Sequence, residues 1–150
     1  MTGHTQAALA LATEVGKTMF AKDRVGHRLG MQVEAIRPGY ARIAMQVSAD
    51  MINGHDICHG GFTFALADSA CAYACNSHNH NALSQALNIV FLSPARLGET
   101  LVAEAVESAR AGRTATYEIK VRTGERMVAV AQAQSRVVSG QMVEQPAAQV

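Results

Sequence analysis

The stretch His59-Gly60-Gly61-Phe62-Thr63-Phe64-Ala65-Leu66-Ala67-Asp68-Ser69-Ala70-Cys71-Ala72-Tyr73-Ala74-Cys75 decides how the whole chain is read. Its alanines favour helix, and its apolar residues fall on nearly every side instead of in one stripe. Such a helix must be enclosed. Asp68 breaks the pattern, because an ionised carboxylate among hydrocarbon is costly unless it is paired or solvated. A residue that merely faces solvent or caps a neighbouring backbone is the plain alternative, but apolar neighbours on every side favour a chemical role. In that role, a low-dielectric setting raises the carboxyl pKa and strips its hydration, making it a better general base or nucleophile.

Just upstream, a loop with Asn53, Gly54, His55 and Asp56 leads to His59, and Gly60-Gly61 stands where the helix begins. The first N–H groups of a helix lack partners and carry the positive end of its dipole, so they can bind a developing oxyanion. Glycine lets a substrate carbonyl approach closely. An isolated glycine pair would read as a simple loop-to-helix junction; Asn53, His59 and Asp68 nearby favour chemistry. Gly60 and Asp68 lie about 12 Å apart along one helix axis, too far to act on one carbonyl. If both act on the same group, two helices from two copies must cross antiparallel, and catalysis requires a dimer.

Outside this stretch the periodicity changes twice. Residues Thr5 to Lys22 place Leu9, Ala12, Val15, Met19 and Phe20 at helical spacing. Leu29, Met31, Val33 and Ala35, then Ala41, Ile43, Met45 and Val47, alternate with other residues as in strands, and Pro38-Gly39 between them suits a tight turn. Extended segments are expected over Leu83 to Leu92, Thr100 to Ser108, Arg113 to Arg122 and Arg126 to Val138, with turns at Ala111-Gly112 and Gly124. The tail after Ser139 has little periodicity and is expected to fray. The fold class is α+β: an antiparallel sheet wrapped around one central helix, with an extra N-terminal helix. A single domain spans residues 1–150, its core at about 29–138. A curled sheet covers one side of the helix only, so a second copy is expected on the other.

Composition narrows the function classes. A formal net charge of +1, without a basic run, argues against nucleic acid. No segment reaches the roughly 18 apolar residues needed to cross a bilayer. Ala7 to Ala12 makes a poor signal peptide, and three cysteines in a chain that needs no staples suit a reducing cytoplasm. His55, Cys58 and His59 cluster in sequence, as do Cys71, Cys75, His78 and His80, but without a compact CxxC pair they read as packing, so no metal or cofactor is expected. Cys58 beside His59 makes a poor nucleophile pair, since productive pairs come from separate elements. His-Gly-Gly lacks the G-x-S-x-G of an α/β-hydrolase.

Asn53-Gly54 six residues before His59, then His59-Gly60-Gly61, Ala67-Asp68-Ser69 and Leu87-Asn88-Ile89-Val90-Phe91-Leu92-Ser93-Pro94-Ala95-Arg96-Leu97-Gly98-Glu99 together resemble the hotdog-fold acyl-CoA thioesterases of the PaaI family, from about Leu29 to Val138. The resemblance implies that Asp68 is the catalytic carboxylate and that the Gly60 N–H polarises the thioester carbonyl, with Gly61 beside it. It further implies that His59 and Asn53 lie by the carbonyl and departing sulfur, and that Ser84 helps hold the attacking water. Implied also are a tetramer built from two dimers, and CoA across the subunit interface; Arg96, Arg110 and Arg113 are candidates for its phosphates. Aromatic acyl groups such as phenylacetyl or its hydroxylated forms, in phenylacetate degradation, are the family expectation, with medium-chain acyl groups beside them. Residue types leave open whether Asp68 attacks directly or activates water. Two other readings keep the fold: an acyl-thioester hydratase or dehydratase, and a noncatalytic acyl-CoA-binding regulator.

Overall fold

The computed structural model describes residues 3–145. Helix α1 (Gln6–Lys22) starts where the Thr5 hydroxyl accepts the Ala8 N–H and seats Ala12 and Val15 in the interior. A short helix α2 (Arg24–Arg28) follows, then β1 (Gln32–Arg37), β2 (Tyr40–Gln46), a single 3-10 turn (Ala49–Met51), the central helix α3 (Gly60–Asn76), and β3 (Ala82–Phe91), β4 (Thr100–Ala111), β5 (Thr114–Thr123) and β6 (Arg126–Val137). The six strands form one antiparallel sheet in the order β1-β2-β4-β5-β6-β3, and α3 packs across it. This is the antiparallel sheet around one helix that the periodicities predict, and the hotdog fold that the resemblance implies.

Alternation places the core. Ala103 and Ala105 on β4, Ala115, Tyr117, Ile119 and Val121 on β5, and Ala129, Ala131 and Ala133 on β6 point inward against Leu66, Ala67, Ala70, Cys71 and Ala74 of α3. Many of these inward residues are alanine, which lets the helix lie close to the sheet. Gly39, Gly112 and Gly124 take positive φ at the three tight turns, which a side chain would disfavour.

Three boundaries differ from the sequence reading. Leu29 and Met31 precede the first strand: the Asp23 carboxylate accepts the Gly26 N–H at 2.8 Å and nucleates α2, so Leu29 closes that helix. Strand β4 continues to Ala111, past Ser108, because a register shift between Glu107 and Ala109 lets the ladder resume. Finally, the described part of the tail is held: buried Asn79 accepts the N–H groups of Met142 and Val143 and donates to the Val143 carbonyl at 2.8 Å. The remaining tail, residues 146–150, lies outside the described residues.

Candidate active site

The loop before α3 is tied down at three points. Cys58 N–H donates to the Ala95 carbonyl and His59 N–H to the Met51 carbonyl, each at 2.8 Å, while Asn53 N–H donates to the Ile57 carbonyl at 2.9 Å. The Asn53 side-chain oxygen accepts the His55 N–H at 2.9 Å, an Asx turn that occupies the amide oxygen and leaves the NH2 group as the outward donor.

His59 is the N-cap of α3, a position more usually held by Ser, Thr, Asp or Asn. Its Nδ1 accepts the Gly61 N–H at 2.9 Å. An N–H can only donate, so Nδ1 carries no proton, and a neutral ring has its hydrogen on Nε2. Two consequences follow for the helix start. Gly61 N–H is spent on the cap, whereas Gly60 N–H has no partner among the described residues. The pair Gly60-Gly61 therefore offers one free amide, next to an imidazole that presents a donor.

Gly60 lies directly under the ring of Phe91. A Cβ there would sit 2.9 Å from the ring tip of Phe91 on β3, so any side chain at this position would displace that ring.

Asp68 stands on the face of α3 turned away from the sheet, with Gly61, Phe64, Ala65 and Ala72 at helical spacing along the same open stripe. Among the described residues its carboxylate has no hydrogen-bond or ion-pair partner. In the single chain it is half-buried, so it is not enclosed by apolar neighbours as the sequence pattern suggested. Ser84, exposed on edge strand β3, lies near Cys71, one turn along α3 from Asp68, and its hydroxyl makes no hydrogen bond to α3 among the described residues. Strand β3 runs antiparallel to α3, so Ser84 meets the helix near Asp68 while Phe91 meets it at Gly60.

The three arginines separate. Arg96 is exposed in the loop that binds Cys58, on the Gly60 side of the molecule, its backbone N–H donating to Glu99. Arg113 is exposed at the β4–β5 turn, at the other end of the sheet. Arg110 is committed: its guanidinium forks onto both Glu107 oxygens at 3.1 and 2.8 Å and reaches the Tyr117 hydroxyl. Sequence reasoning missed Arg126, which grips Glu99 with two hydrogen bonds and also reaches the Ser93 hydroxyl, fixing the loop that carries Arg96. It missed Asn76 as well, whose amide bonds the Ala82 N–H and carbonyl and splices the end of α3 to β3. The cysteine and histidine clusters do not converge: among the described residues no three His, Cys, Asp or Glu side chains meet as metal ligands.

Residues 55–130 match the family model described as Thioesterase superfamily. The acyl-coenzyme A thioesterase PaaI of Escherichia coli K12 is 38% identical over 123 residues, 81% of this chain and 88% of that one. A putative esterase of Archaeoglobus fulgidus is 37% identical over 114 residues, 75% of this chain and 74% of that one. The solved structure of E. coli PaaI, described as a protein from the phenylacetic acid degradation operon, superposes with a TM-score of 0.88 at 35% identity over 89% of this chain and 98% of that one. With the α3-centred sheet and this extent of similarity, the chain belongs to the thioesterase superfamily and is a thioester hydrolase of hotdog fold in the PaaI family.

Proposed function

We propose that the protein hydrolyses acyl-CoA thioesters, with (hydroxy)phenylacetyl-CoA or a related aryl or medium-chain acyl-CoA as substrate, in a cytoplasmic phenylacetate pathway. One observation carries the reading. The chain leaves a single donor free at the start of α3 and a single unpartnered carboxylate about 12 Å further along the same helix, so each half-site needs the other from a second copy. Two α3 helices crossing antiparallel bring Gly60 of one copy to Asp68 of the other. The same crossing covers the open stripe of α3. Edge strand β3, with Leu83, Val90 and Phe91 exposed, supplies further apolar surface for that contact, and two such dimers form the tetramer.

In this site the thioester oxygen accepts the Gly60 N–H and the Asn53 amide donor. Water, held by Ser84 and Asp68 of the other copy, attacks the carbonyl carbon while the carboxylate takes its proton. Negative charge moves to the carbonyl oxygen, where the amide and the helix dipole stabilise it. Collapse breaks the C–S bond, and the electron pair leaves on sulfur. His59, with hydrogen on Nε2, donates to the departing thiolate; it does not serve as the base through Nδ1, whose lone pair the Gly61 N–H occupies. Arg96, on the Gly60 side, is the candidate for the CoA phosphates in its own chain, and Arg113 can reach them only from the other copy. Arg110 contributes by holding Glu107.

A panel of acyl-CoA thioesters assayed for free thiol tests the proposal. Hydrolysis releases CoA; a hydratase alters the acyl chain without releasing thiol, and a regulator does neither. Either of the last two outcomes sinks the reading.

A further inference from the structure

Phe91 is a large aromatic side chain that remains 52% exposed although it lies on the inward side of β3, in alternation with Leu87 and Ile89, which pack against the core. Its ring closes on Gly60, with ring atoms 2.9, 3.2 and 3.4 Å from the position of a Cβ at that residue. That position is about 2.5 Å from the amide nitrogen, which puts the ring edge less than about 6 Å from the free Gly60 N–H. A carbonyl oxygen accepting that N–H at about 2.9 Å therefore lies within about 9 Å of the ring, close enough for the ring to border an acyl group bound there.

We propose that Phe91 is a specificity-determining residue whose ring walls the site beside the carbonyl and selects acyl groups that carry CH2 next to it. Branching or an aryl ring attached directly to the carbonyl would collide with a side chain braced against the backbone of α3. This inference rests on the thioesterase reading and adds to it a substrate rule: phenylacetyl and straight-chain acyl groups fit, whereas benzoyl and isobutyryl groups do not. It also gives Gly60 a second function, since any side chain there would push the wall into the substrate.

The test compares kcat/KM of the wild type, Phe91→Ala, Phe91→Leu and Phe91→Trp on phenylacetyl-CoA, hexanoyl-CoA, benzoyl-CoA and isobutyryl-CoA, with sedimentation of each variant. The wild type is expected to favour the first two substrates. Phe91→Ala is expected to raise the ratio of the second pair to the first about tenfold or more, the range set by steric discrimination in apolar pockets. Phe91→Leu, which preserves most of the packing volume and guards against misfolding of the alanine variant, shifts the ratio in the same direction. Phe91→Trp does not. Unchanged ratios in folded Phe91→Leu overturn the proposal, as does loss of assembly with no change in ratio, which would make the ring interface packing only. A wild type that releases CoA from none of the four thioesters would fail the thioesterase reading itself, a result separate from unchanged ratios.

Discussion

Asp68 and Glu107 are both carboxylates beside α3, and the chain treats them in opposite ways. Glu107, on β4 near the end of α3, receives Arg110 at 2.8 Å, Tyr117 hydroxyl at 2.8 Å and His78 Nε2 at 3.0 Å. Burial alone would raise its pKa, but those hydrogen bonds outweigh it and hold the group at about 2. Around it the chain is equally complete: Ser77 hydroxyl donates to the Ala74 carbonyl at 2.6 Å and accepts the Gly39 N–H at 2.8 Å. Asp68 is on the same helix's open face and receives nothing from the described residues. A carboxylate whose partners all come from its own chain is structure. One left without partners on an open helix face is what the proposed second copy would have to meet.

The contrast breaks most sharply at Asp68. Asp68→Asn preserves shape and removes the base, and kcat is expected to fall by about a hundredfold or more with sedimentation unchanged; near-normal turnover in well-assembled protein would remove the residue from the chemistry. At the other carboxylate the outcome should invert. Glu107→Ala strands the Tyr117 hydroxyl and the Arg110 guanidinium, so urea unfolding should report a loss of about 2 to 3 kcal/mol while turnover per folded molecule stays within about twofold.

Protonation sharpens the same comparison. The folded pKa of Glu107 is depressed from 4.5 to about 2, so its stabilisation is present above the unfolded value and is lost as pH falls from about 4.5 through 2. Wild-type stability should therefore decline across that window, and Glu107→Gln should flatten the decline; parallel curves for the two proteins would refute the assignment. Ser84→Ala is expected to cost about tenfold in kcat, because an orienting hydroxyl positions water without reacting. The smallest effect belongs to Arg96→Ala. An exposed charge contributes a KM increase of about two- to fivefold that fades at high salt, with kcat unaltered, and a salt-independent change would argue against a phosphate contact.

Much of the fold is legible in local pattern. Helical spacing from Leu9 to Phe20, period-two alternation along β5 and the glycines at 39, 112 and 124 are short-range properties, and the corresponding elements form where those patterns lie. The boundaries that shifted depend on contacts the pattern does not carry. Asp23 starts α2 and makes Leu29 its C-cap, a bulge carries β4 past Ser108, and Asn79 fastens the tail through a side chain more than sixty residues away in sequence. At the site, the lone Asp68, the Gly60-Gly61 start and the distance between them were readable, because one helix fixes all three.

What the sequence by itself determined is thus the order of elements, the central helix and the residues that its pattern makes anomalous. Only the tertiary structure decided that His59 consumes the Gly61 amide and leaves Gly60 free, that Arg110 belongs to Glu107, and that Phe91 rests on the helix start. The physical reason is range. Periodicity reports which face of an element is apolar, whereas hydrogen-bond partners and ring contacts are set by which distant segments the sheet brings against that face.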